Sequence, residues 1–524
     1  MAAETYSAPP KPTPTEADRL VDWCMLATSA MLCAVDPVVI KQSMSRWLEA
    51  DSEIIDLADA AHYLILALGA QASSEEEDDC AETFFQYGRQ LTMRFSLDTH
   101  NILTIQCYMW MTLYLLAACR IEAAADAIGI AARAAYTVGL NHFDFFDTMS
   151  EDECARRRRL WKTLRKLDLF IGVVHGRPTA TMEIYNANGM NTYSSVLSLA
   201  KINENVHVDL YLRRKMSRTL VQDIAEQQRS WASRFPDGLC EDGIAYTDIC
   251  EGIDNLPLTY VKGSYYWSIM LLTRPFLLEF VSASISGHQV NSHPINETMD
   301  KSQTDAVLAQ ACVISAIQAI DLIQATLSSG NIPKRLPFAI SLVSTAVLTV
   351  GIAVFADLDR DFPVKQGLEK AKQLLNLFEN HDVSAKFYRA IVQDLQQAHD
   401  IYVERRSRQA MASRERMICK VFGGLPGARI PSPPPAHQPF PDLDMTGLLV
   451  DWRTHGTGLS LEDFSAIDPH PSGPNRHDME DDPVMPSTML CATQAYDIDD
   501  ILGIPTPHFL DAYMPDIHSS VEDS

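Results

Sequence analysis

The sequence predicts an all-α protein, an irregular multi-helix bundle or solenoid-like regulatory domain followed by a disordered acidic tail. Three observations lead there. Apolar residues recur at spacings of three and four through most of the first 420 positions, while strand-like alternation is scarce. The breaks between these periodic stretches are short, polar and rich in turn formers. The composition then changes near Gly423: from Leu425 to Ser524 there are 17 Asp plus Glu, three Arg and no Lys, and 15 of the chain's 28 prolines. These limits divide the chain into a disordered N-terminal arm (1–14), a helical domain (15–422) and a tail (423–524).

Helices are predicted at 16–33, 54–71, 80–95, 101–119, 121–139, 151–175, 208–233, 258–284, 303–328, 337–356, 365–378 and 384–418. Breaks fall at Ser73 to Asp79 (SSEEEDD), at 141–149, at 178–206 and at 285–302. The best-marked helix lies in Ser150 to Pro178. Ser150 and Glu153 are placed as a capping box, with Glu151 and Asp152 where the helix dipole favours negative charge. Leu160, Leu164, Leu167, Ile171 and Val174 form one apolar stripe. Gly176 permits a left-handed C-terminal turn, and Pro178 stops the helix resuming.

Individual polar residues on this helix have simple readings. Asp168 follows Arg165 by three residues, which fits an ion pair on the helix surface. Trp161 reads as a core anchor. Arg156 to Arg159 point around most of the helix, so their stems should cover neighbours and their charges pair with Asp152 and Glu153. Arg405, Arg406, Arg408, Arg414 and Arg416 are better placed for a nuclear import signal, or form the solvated face of a final helix.

Two apolar runs, Ile102 to Cys119 and Phe338 to Ala356, approach the length of a membrane span. Their Ser, Thr and small residues fit buried central helices instead, so no membrane partner is expected. No fixed-period repeat and no sustained heptad is visible, and a homodimer stays open.

The 524-residue chain carries a formal charge of -25, which disfavours a broad nucleic-acid surface. Its 11 scattered cysteines include no Cys-x-x-Cys, which fits a reducing compartment, and the first residues lack a signal peptide's apolar region. No His-Glu-x-x-His, Gly-x-Ser-x-Gly or phosphate-loop motif occurs. The expectation is therefore no catalytic residue and no metal site. His62 and His175 read as hydrogen-bonded structural residues. A helical enzyme of terpene-synthase type is disfavoured, because Asp497, Asp499 and Asp500 fall in the tail rather than on a domain helix.

Arg157-Arg158-Arg159-Leu160-Trp161, then Leu167-Asp168 and Gly176-Arg177-Pro178, resemble the signature of the fungal-specific transcription factor domain, the middle homology region of fungal binuclear zinc-cluster factors. Supporting pieces follow the same order: Thr104 to Gln106, Tyr114 to Leu116, Ala131 to Leu140, and Tyr265-Tyr266 to Arg274-Pro275-Phe276-Leu277. The likeness covers roughly 20–420, with its diagnostic part in 100–280. It implies a transcriptional regulator acting in the nucleus, with a helical domain that responds to a small-molecule effector or a repressor. Full members also carry an N-terminal zinc cluster of six cysteines. The sequence has none, so no zinc ligand is assigned, and contact with promoter DNA would come from a missing module or a partner.

The tail adds its own signal. Acids alternate with apolar residues in four clusters around Trp452, Phe464, Ile498-Ile501-Leu502 and Phe509-Leu510-Tyr513, which is the composition of an amphipathic activation segment. A coactivator groove can bind such a segment as a short induced helix. Three readings follow: an activator of RNA polymerase II genes, a helical interaction scaffold or cofactor of a DNA-bound factor, and, least favoured, a helical enzyme.

Overall fold

Wherever the apolar periodicity is long, the helices of the computed structural model follow it. It describes residues 7–423 apart from 33–36, 51–54, 97–99, 143–148, 183–193, 214–216, 247–254, 286–297, 329–331 and 357–361. Among the described residues there is no strand. The helices are α1 (Pro14–Thr28), α2 (Pro37–Glu49), α3 (Leu57–Ala72), α4 (Asp78–Ser96), α5 (Ile102–Ala117), α6 (Ile121–Thr137), α7 (Glu151–Val174), α8 (Ser195–Val206), α9 (Arg218–Ser233), α10 (Phe235–Asp242), α11 (Leu256–Ile285), α12 (Thr298–Leu327), α13 (Pro337–Ala353), α14 (Val364–Phe378) and α15 (Val383–Phe422).

Four differences from the sequence reading have physical causes. The segment 178–206, read as a break, contains α8, whose Ser- and Asn-containing sequence is a weak helix former held by its neighbours. The single helix read at 208–233 is a π-helical turn, His207–Leu212, followed by α9. Helices α2 and α10 were not predicted. The arm read as disordered is tied to the domain at Pro9 and Lys11: the carbonyl of buried Pro9 accepts the Tyr63 hydroxyl at 3.1 Å. Lys11 Nζ donates to the carbonyls of Trp47 (2.7 Å) and Ala50 (3.0 Å), neutralising the last turn of α2.

The core is one continuous cluster. Helix α3 packs against α1, α4 and α5; α5 leads through α6 to α7; and α11, α12, α13, α14 and α15 form the second half. At the crossing of α1 and α3, a Cβ on Gly69 would sit 2.0 Å from the Leu20 carbonyl oxygen, so only glycine permits this approach. Leu256–Ile285, Thr304–Leu327 and Pro337–Ala356 are long and apolar enough to cross a membrane, and they pack on one another here. The last of them is the buried central helix expected from its sequence.

Between α2 and α3, His62 stacks on Trp47 with ring centroids 5.0 Å apart, and its Nε2 lies 3.0 Å from Ser43 Oγ. Burial lowers its pKa to about 4. The unfolded chain takes up this proton near pH 6.5 and the native chain resists it. Stability is therefore fully present above about pH 6.5 and is lost as pH falls through about 4, by about 3 kcal/mol. His62→Gln should flatten the fall in melting temperature between pH 7 and 4 relative to the unmodified chain; identical pH profiles would contradict the assignment.

Candidate functional site

The Ser150–Pro178 segment is built largely as its sequence dictates. Ser150 Oγ accepts from Glu153 N at 3.4 Å. The reciprocal half of the capping box is absent, because the Glu153 carboxylate instead accepts Arg157 Nε at 2.9 Å and pairs with Arg156 at 2.5 Å. Guanidinium groups make stronger, charge-assisted bonds than a neutral backbone N–H. Arg158 and Arg159 are exposed, and neither guanidinium forms an ion pair among the described residues. The stripe from Leu160 to Val174 is buried throughout, and Trp161 meets Tyr136 edge-on at 5.6 Å. Gly176 adopts φ +65°, and the Arg177 N–H closes the turn on the Gly172 carbonyl at 2.8 Å. The Arg177 side chain pairs with Glu122 on α6, and Pro178 follows the turn.

Asp168 corrects the sequence reading. It is not on the surface: its exposure is 3%. Its carboxylate accepts the N–H groups of Ala180 (3.1 Å) and Thr181 (2.7 Å) and the Thr181 hydroxyl (2.6 Å). Arg165, also buried, donates to the Thr181 carbonyl at 3.2 Å and to Glu204 of α8 at 3.4 Å. Thr179 Oγ1 donates to the other Glu204 oxygen at 3.1 Å. The pair is thus a clamp that holds the segment after α7, and through Glu204 holds α8. Burial pushes the Asp168 carboxyl above the usual range, against the pull of the Thr181 and Ala180 donors. His175 also differs from expectation, since its Nδ1 is buried without a hydrogen-bond partner; burial first, then the Arg177 charge, lowers its pKa to about 4.

A second clamp uses Arg274 and Pro275 on α11. Pro275 has no N–H, so the Leu271 carbonyl one turn earlier loses its helical donor. The Tyr211 hydroxyl, carried by the π-helical turn, donates to that carbonyl at 2.7 Å. Arg274, with 1% exposure, places its guanidinium carbon 5.3 Å from the centre of the Tyr211 ring, a cation–π contact. A π-helical turn next to a proline in a neighbouring helix is a local irregularity of the kind found at functional sites. Tyr211→Phe should cost about 1–2 kcal/mol by leaving the carbonyl of buried Leu271 unpaired, read as a lowered urea midpoint; an unchanged midpoint would remove Tyr211 from this role.

These clamps fix α8 between α7 and α11. The other end of α8 is tied by the Trp231 indole N–H to the Ser195 carbonyl at 2.8 Å. Between α7, α8, α11 and α13 lies a partly open cavity, with about 600 Å³ of free space when open solvent is included, walled by Phe170, Val173, Leu199, Tyr260, Phe338 and Leu342 among others. Among the described residues, none that walls it is charged. Asn203 and Trp267 belong to the wall at 5% and 7% exposure, and Asn203 Oδ1 and Trp267 Nε1 are buried without hydrogen-bond partners. Glu204, Thr181, Tyr211, Asn203 and Trp267 were not singled out from sequence. No local pattern marks them, because their partners lie on other helices.

Among the described residues one trio, Glu76, Asp78 and His381, brings donor atoms within 4.8 Å of one another. The Asp78 carboxylate is already bound by Lys334 (3.5 Å) and Arg335 (3.2 Å), which makes the trio part of an ion-pair cluster. Trp452, Phe464, Ile498, Ile501, Leu502, Phe509, Leu510 and Tyr513 lie outside the described residues.

Residues 37–188, which include Arg165, Asp168 and Thr181 of the α7 clamp, match the fungal specific transcription factor domain. The chain is 24% identical over 366 residues to YJL206C of Saccharomyces cerevisiae, a protein that bears the name of a transcriptional regulatory protein, across 60% of this chain and 46% of that one. It is 31% identical over 150 residues to the transcription factor asqA of Emericella nidulans, across 26% of each. The chain thus spans less than half the length of the curated relatives it matches. Arg274 and Pro275 lie beyond the matched segment.

Proposed function

We propose that this protein is a nuclear transcriptional regulator, an activator of RNA polymerase II genes in a metabolic or secondary-metabolite pathway. The single observation that carries this reading is the family match over residues 37–188, supported by two relatives named for transcriptional regulation. The helical domain holds the regulatory surface, and the segment from 423 recruits coactivators through its acidic-aromatic clusters. The net charge of -25 argues that promoter contact is made by another module or a partner. The exposed arginines Arg405, Arg406, Arg408 and Arg414 on α15 suit an import receptor.

Residues 425–524 fused to a heterologous DNA-binding domain should drive a reporter well above that domain alone. Changing Trp452, Phe464, Ile498, Ile501 and Leu502 together to alanine should abolish the output. Output that survives this change, and falls only when the acids are removed, would overturn the recruitment mechanism. A fusion with no output at all would favour the interaction-scaffold reading.

A further inference from the structure

Two side chains on different helices that wall the same cavity, Asn203 and Trp267, each carry a buried polar atom without a hydrogen-bond partner. We infer that the cavity between α7, α8, α11 and α13 is a binding site for an uncharged, largely apolar small molecule that offers an acceptor oxygen to the Trp267 indole N–H and a donor O–H or N–H to Asn203.

The chemistry of the ligand follows from the wall. With no Asp, Glu, Lys, Arg or His among the described residues that bound it, a charged ligand would lose its hydration without compensation. The rings of Phe170, Tyr260 and Phe338 form a connected aromatic wall, with Tyr260 6.5 Å from Phe170 and 5.8 Å, edge-on, from Phe338. This favours a flat, unsaturated or aromatic skeleton over a sugar or a nucleotide. Buried polar atoms are normally hydrogen-bonded, and an orphaned donor facing a different helix from an orphaned acceptor is the complement of a ligand with one of each.

The site is also framed so that occupancy is felt elsewhere. Helix α8 contributes Val196, Leu199, Ala200 and Asn203 to the wall, and the next residue, Glu204, is held by Arg165 and Thr179. A ligand that draws Asn203 inward therefore pulls on the Asp168 and Arg165 clamp. Binding itself does not depend on the transcriptional reading; only its consequence, an output that changes with ligand, rests on it.

The test uses the full chain and Nile red, a neutral, planar dye with a carbonyl acceptor, followed by fluorescence titration. One dye should bind per chain. Trp267→Phe keeps the ring's bulk but removes the donor, and should weaken binding about tenfold, the effect of one buried hydrogen bond, while leaving the melting temperature unchanged or higher. Ala200→Phe should fill the cavity and abolish binding. Asn203→Leu serves as the second polar variant if Ala200→Phe fails to fold. No binding by the unmodified chain, or equal binding by the unmodified chain, Trp267→Phe and Asn203→Leu, would overturn the site. A silent reporter with dye binding intact would sink the transcriptional reading alone.

Discussion

Asp168→Ala should destabilise the domain by about 3–5 kcal/mol, the usual cost of deleting one partner from a buried charged network. Three donors lose their acceptor at once: the N–H groups of Ala180 and Thr181 and the Thr181 hydroxyl. Arg165 stays buried and loses the nearby carboxylate, keeping Glu204 as its ion-pair partner. Asp168→Asn should cost less, because the amide keeps one acceptor oxygen in place. Chemical unfolding of both variants measures this. A loss below about 1 kcal/mol for the alanine variant would mean that Asp168 behaves as the surface residue its spacing first suggested.

Gly69→Ala should be nearly as damaging, for a steric reason alone. The new methyl carbon would lie 2.0 Å from the Leu20 carbonyl oxygen, 2.6 Å from its carbonyl carbon and 2.9 Å from its Cα. These are backbone atoms of α1, so no side-chain rotation relieves the clash. The two helices must part, and fully buried Leu20 and Val21 are drawn from the core with α1. Overpacking of this kind costs about 3 kcal/mol or more. The expected readout is a large drop in melting temperature. A normal melt would show that α1 is dispensable to the core.

The helices of this fold were legible where one apolar face had to be buried. The α7 stripe, its Ser150 cap and its Gly176 turn are local features, and each is recoverable from neighbours within four residues. The central α13 was legible because an uncharged run of that length has few other fates. Helix α8 was not, since its residues prefer turns and it is held by Trp231, Asp242, Arg165 and Thr179 on other segments. Asp168 was misplaced for a related reason. Spacing identifies a partner three residues away, but Thr181 lies thirteen residues on, past a glycine turn that reverses the chain. The cavity left no mark in the sequence at all, because its walls come from four helices between Leu169 and Leu342.

The contact between Tyr211 and the Leu271 carbonyl also fixes the order in which two changes can accumulate through descent. While Pro275 is present, losing the tyrosine hydroxyl strands a carbonyl. Once the proline is replaced, the helix supplies its own donor and the hydroxyl becomes free to drift. A lineage can therefore discard the proline first and the tyrosine afterwards, whereas the opposite order passes through a weakened intermediate. Two positions 64 residues apart are expected to change as a directional pair rather than independently.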